Sequence, residues 1–148
     1  MNFGSSFGIS SSALTAQRLR MDVISSNIAN AETTRASVVN GKAVPYRRKL
    51  VVLEATQGNK FSDILNNKMN GSTEGVKVQA ITEDSSPLKP VYNPSHPDAD
   101  ENGYVYMPNV DITKEMVDML SASRSYEANV TMLNASKAMV TKALEIGR

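Results

Sequence analysis

The sequence predicts an α+β fold, with a helix at each end and a small β-rich insert between them. Two observations carry this expectation. Apolar residues recur every seven positions near both termini. All six prolines and five of the eight glycines lie in the stretch between, where short β-branched and apolar runs alternate with turn residues.

The first helix is read from Phe7, Leu14, Met21 and Ile28, which are spaced by seven. Ile24 and Ala31 occupy the second heptad position, which Ser10 and Gln17 fill earlier. The result is an amphipathic helix with a small-residue, partly polar seam. The serines at 10–12 suit a start region, and the Asn/Gly-containing stretch after Thr33-Thr34 predicts an end near Asn30. In the insert, Tyr46 to Glu54 reads as a strand, as do Val76 to Ile81 and Gly103 to Met107. Phe61 to Met69 predicts one or two turns of helix. Pro87, Pro90, Pro94 and Pro97 predict an extended loop over 86–102.

The last helix carries the stronger pattern. Met116, Ser123, Val130, Lys137 and Leu144 share one heptad position, and Met119, Tyr126, Leu133 and Val140 share the other. Leu120, Met132 and Met139 widen the stripe. Asp111, Glu115 and Asp118 near the start and Lys137, Lys142 and Arg148 near the end complement the helix dipole. Asp111 or Thr113 is the expected N-cap, and Gly147 the expected stop. At about 1.5 Å per residue such a helix is roughly 50 Å long, longer than a compact domain of this size needs.

Composition narrows the chemistry. The chain has 148 residues, 16 Lys+Arg against 15 Asp+Glu, and no Cys or Trp. The charge is spread evenly along the chain, so nothing points to a nucleic-acid partner held by bulk positive charge. Without cysteine there is no disulfide framework, thiolate zinc site or Cys nucleophile. No secretory signal or run of 18 apolar residues is visible. Hydrophobic residues make up 41% of the chain but aromatics only 5%. That thin core leaves apolar material for helix seams between chains.

Candidate sites are few. The sole histidine, His96, lies in a Pro-rich loop and is expected to be structural. Asp98, Asp100 and Asn102 match the first half of an EF-hand loop, but Asn109 stands where the bidentate Glu belongs. A turn at Asn102-Gly103 with positive φ is the simpler expectation. Arg47, Arg48 and Lys49 alternate faces on a strand, which predicts a solvated or inter-subunit face in place of a phosphate site. No catalytic constellation, metal site or cofactor site is predicted. Asn27, Asn30 and Asn129 are polar residues on helices, where an Asn at a seam fixes register.

Several stretches resemble one family. SSALTAQ (11–17) and SSNIANAET (25–33) are similar to the N-terminal signature of flagellar rod and hook axial proteins. PYRRK (45–49) and VYNPSHPDADENGYVYMPNVD (91–111) resemble the short proximal-rod type of that family. EMVDMLSASRSYEANVTMLNASKAMVTKALEIG (115–147) resembles its C-terminal helix. The resemblance spans both ends and about two thirds of the chain; residues 55–75 depart from it, being longer and richer in Asn. It implies that the terminal helices pair as an antiparallel coiled coil. Residues 1–31 and 110–148 would then form one discontinuous axial domain, with 32–109 as the insert. It implies a structural role in the torque-transmitting rod that crosses the periplasm, and export through the flagellar type III apparatus without a cleaved signal. Implied partners are copies of itself, other rod proteins and an adaptor attached to the membrane ring. The seam would comprise Phe7, Leu14, Met21, Ile24, Ile28, Met116, Met119, Leu120, Tyr126, Val130, Leu133, Val140 and Leu144. Two other readings fit the residues less fully: a cytoplasmic coiled-coil adaptor or export chaperone, and a small calcium-binding module.

Overall fold

A computed structural model describes residues 3–39, 42–56 and 75–146. The order is α1 (Phe3–Ala29), β1 (Ser37–Val39), β2 (Lys42–Val44), β3 (Lys49–Ala55), β4 (Val76–Glu83), β5 (Lys89–Tyr92), β6 (Tyr104–Met107) and α2 (Ile112–Ile146). The α+β class is therefore as expected: two terminal helices flank a series of two-stranded ribbons, β1–β2, β3–β4 and β5–β6. Phe61–Met69 and Gly147 lie outside the described residues.

α1 begins at Phe3, earlier than the serines at 10–12 suggested. Its first turns carry Gly4, Ser5, Ser6 and Gly8, all poor helix formers. α2 starts where a cap exists. Asp111 Oδ1 accepts from the backbone N–H groups of Thr113 (3.0 Å) and Lys114 (3.3 Å), so Asp111 is the cap.

Two differences concern the insert. The β1–β2 hairpin was not expected, although Asn40-Gly41 between Val39 and Lys42 is a strong hairpin signal. β5 lies inside the stretch expected to be a loop. Val91 faces Val105 and Tyr92 faces Tyr104 across the ribbon. Pro90 is tolerated because a strand with one partner keeps an open edge, where a missing N–H breaks no ladder bond. β3 and β4 run antiparallel: Asp84 N donates to Arg48 O at one end and Thr56 N to Gly75 O at the other, both at 2.8 Å.

Contacts divide the chain into two compact units. The first comprises Met1–Arg20, Val52–Ala80 and Ser121–Arg148. Among its described residues the buried ones, Ala16, Ala122 and Ser136, are small, which suits close backbone approach. There Ser12 Oγ donates to Ile9 O (2.8 Å) and accepts from Val76 N (3.2 Å). A Cβ on the adjacent Gly75 would sit 2.8 Å from that hydroxyl, which would have to turn away from Val76 N to admit it.

The second unit comprises Met21–Val51 and Ile81–Leu120. Val23, Ile24, Pro45, Tyr46, Val105, Pro108 and Val110 are its buried apolar residues. Gly103, with φ 77°, makes the expected turn before β6. A Cβ there would lie 3.0 Å from the Tyr92 ring and 3.3 Å from Pro94. Gly103→Ala should cost about 2 kcal/mol, from left-handed backbone plus crowding, measurable as a lower urea midpoint.

Candidate functional site

The second unit holds a buried polar node built around Asn27, on the last turn of α1. Both Asn27 and Glu115 are only 1% exposed. Asn27 Nδ2 donates to Lys49 O (2.9 Å) and to Glu115 Oε2 (3.1 Å). Its Oδ1 accepts from Lys49 N (2.9 Å) and from the Tyr46 hydroxyl (3.0 Å). A side-chain amide has two donors and two acceptor lone pairs, and all four are used. Since Tyr46 donates to Asn27, its oxygen accepts from Ser26, 3.4 Å away.

Glu115, in the first turn of α2, joins this node to Arg48. Arg48 Nε donates to Glu115 Oε1 at 2.6 Å, while its two Nη atoms lie 3.6 Å from Asp84 and 3.5 Å from Asp118. Its guanidinium is therefore surrounded by three carboxylates. The Arg48 backbone N donates to Asn109 Oδ1 (2.9 Å), and Asn109 Nδ2 reaches Asp84 O and Ser86 O. Unpaired buried charges cost far more than paired ones. The arrangement thus ties α1, the start of β3 and the start of α2 into one polar lock.

This changes the expectation for Arg47-Arg48-Lys49. Arg47 and Arg48 precede β3, which begins at Lys49 and not at Tyr46, so the expected strand alternation does not extend over them. Arg48 is covered by Glu115 and Asp118 of α2 and by Asp84 just after β4 in place of solvent. Glu115 is likewise more than a complement to the helix dipole. Neither was legible locally, since 88 residues separate Asn27 from Glu115 and 67 separate Arg48 from Glu115.

The other expected positions divide by burial. Ile24 is buried, and Phe7, Leu14, Met21, Ile28, Met119, Tyr126, Val130, Leu133 and Val140 are half-buried. Met116, Leu120 and Leu144 are exposed. Asn30 and Asn129 are half-buried, and each turns its amide back onto a carbonyl four residues earlier, Ser26 O and Ser125 O.

The stretch read as half an EF-hand holds a different network. Asp98 pairs with the Arg35 guanidinium and accepts from the Thr34 hydroxyl at 2.9 Å, while its own N–H donates to His96 Nδ1. Among the described residues no group of three or more His, Cys, Asp or Glu could hold a metal ion. Arg35 and Thr34 hold the Asp98 carboxyl below its ordinary value of 3.8. The hydroxyl and N–H of Ser86, with Arg48, do the same for Asp84. A lowered folded-state value means that protonation opposes folding. The contribution is fully present above the ordinary value of 3.8 and is lost as pH falls through the lower folded value. The melting temperature should fall with acidification in that range, and Asp98→Asn should flatten part of the slope.

Comparisons with known proteins give a consistent result. Residues 8–36 match the family described as "Flagella basal body rod protein", and residues 101–146 match "Flagellar basal body rod FlgEFG protein C-terminal". The chain is 60% identical to the flagellar basal-body rod protein FlgC of Bacillus subtilis over 146 residues, 97% of each chain. It is 46% identical to FlgC of Borreliella burgdorferi, covering 99% of this chain and 98% of that one. With FlgC of Salmonella typhimurium the identity is 45%, over 96% of each.

Proposed function

This chain belongs to the flagellar basal-body rod proteins, structural components of the rod, and we propose that it assembles there through its terminal helices. In this reading α1 and α2 pair as an antiparallel coiled coil, so that residues 1–31 and 110–148 act as one axial domain. The remaining apolar surface of α2 packs against helices of neighbouring subunits, which are further copies and other rod proteins.

The observation that carries the reading is the series of large apolar side chains that the single chain leaves in water along α2. Met116, Leu120, Met132, Met139 and Leu144 are 58, 61, 61, 56 and 72% exposed. Large apolar residues left exposed along one helix mark a surface awaiting a partner. Subunits that join head to tail without closing form helical tubes, the geometry that a rod needs. Half-buried methionines such as Met21 and Met119 adapt to slightly different neighbours. The buried Asn27 and the half-buried Asn30 and Asn129 serve as register contacts.

The reading extends to torque transmission across the periplasm, to contact with an adaptor attached to the membrane ring, and to type III export without a cleaved signal. No residue acts chemically in it. Leu120→Asp tests it: the exposed site predicts a change in subunit stability within about 0.5 kcal/mol, but loss of the chain from isolated basal bodies and loss of swimming. Normal incorporation of Leu120→Asp would count against helix-mediated assembly.

A further inference from the structure

The β1–β2 hairpin and a groove beside α1 are complementary. Val39 and Lys42 face one another across the hairpin, so their side chains leave the same face together. Val39 is 55% exposed. Lys42 is exposed as well and has no ion-pair partner among the described residues. A short two-stranded ribbon holding a β-branched side chain in water is marginal on its own.

The groove lies in the same unit, between α1 and β4, and measures about 430 Å³. Sites that seat a ligand span roughly 300–1,000 Å³, so this one is large enough for the paired side chains of a hairpin. Val23 and Ile81 give it an apolar lining, and Asp22 and Glu83 stand on its rim. Ile81 is 48% exposed, and neither acid has an ion-pair partner among the described residues. Lys49 also lines the groove, but its ammonium is placed 5.7 Å over the Tyr46 ring. No described hairpin residue lines the groove.

We propose that the β1–β2 hairpin of one copy seats in this groove on the next copy. Val39 packs on Val23 and Ile81, and Lys42 sits between Asp22 and Glu83. The charge pattern selects this occupant: two unpaired carboxylates call for a cation beside an apolar group, which the hairpin presents as one cross-strand pair. Knob and hole are different surfaces of the same chain, so the contact is heterologous, the type that builds an open helix wherever its rotation does not close a ring. The inference rests on the rod-assembly reading and adds to it a contact made by the insert.

The chain has no cysteine, so a disulfide between two copies of it reports only engineered positions. Cells would express Lys42→Cys together with an epitope-tagged Glu83→Cys copy, and their basal bodies would be isolated and oxidised. The expected result is a tagged–untagged dimer that neither variant forms alone. Two results would overturn the proposal: basal bodies that contain both variants yet yield no dimer, or a cross-link from Lys42→Cys to a different rod protein. A charge swap gives a second readout. Lys42→Glu should lose incorporation and Glu83→Lys in the same chain should restore it; full incorporation of Lys42→Glu alone also overturns the contact. Absence of the wild-type chain from basal bodies would instead refute the rod-assembly reading itself.

Discussion

Asn27→Asp is expected to destabilise the second unit by about 3–5 kcal/mol, the cost of an uncompensated buried charge. The shapes are nearly identical, so packing is preserved and the chemistry alone changes. A carboxylate cannot donate to Lys49 O, which Asn27 Nδ2 reaches at 2.9 Å. It would also place a second negative charge beside Glu115, now 3.1 Å from the amide nitrogen. Both side chains are nearly sealed from water, so neither charge is solvated. Total stabilities of small domains are only about 5–15 kcal/mol, so the variant should lose most of its margin. Hydrogen exchange over residues 21–51 and 81–120 reads the effect. Adding Glu115→Gln removes the like-charge contact and should recover part of the loss. A change below about 1 kcal/mol would mean that the node is wetter than its burial indicates.

Glu115→Ala is the second large effect, at about 3 kcal/mol. It strips the 2.6 Å acceptor from Arg48 Nε and leaves one Asn27 amide proton unpaired. Arg48 keeps Asp84 and Asp118 at longer range, and its side chain retains 14% exposure, which limits the loss. Glu115→Gln should cost less, since its oxygen can still accept from Arg48 while its NH₂ group faces the Asn27 donor. The double variant Arg48→Met/Glu115→Leu should be more stable than Glu115→Ala alone, because the guanidinium goes together with its buried partner. The carboxylates it leaves, Asp84 and Asp118, are 19% and 32% exposed and reach solvent. Urea denaturation of the set measures the order, and equal loss in all three would indicate a packing role for Glu115.

The parts of the fold visible in the sequence were those with local signals. The C-terminal helix announced itself through its heptads and the Asp111 cap, and the turn before β6 through Asn102-Gly103. β5 was hidden because Pro90 forbids only central strands, and nothing local distinguishes a central strand from a ribbon with an open edge. Asn27 stood out as a polar residue on an apolar helix. Its partners did not, because a buried ion pair looks the same in sequence as a solvated one. Arg48 and Glu115 became meaningful only once the chain had brought them together.

The way Asn27 holds Lys49 has one more consequence. Arg48 offers its carbonyl to β4, so the backbone groups of Lys49 point to the opposite edge of β3, where an open sheet would recruit any passing strand. The helix fills that place with a side-chain amide, which offers N–H and C=O in the pattern of a peptide group. One rung of the ladder is thus completed by α1. A foreign strand cannot zip along this edge from Lys49 without first evicting Asn27. In a protein whose subunits gather at high local concentration, that end-stop would keep association on the intended surfaces and away from strand-on-strand aggregation.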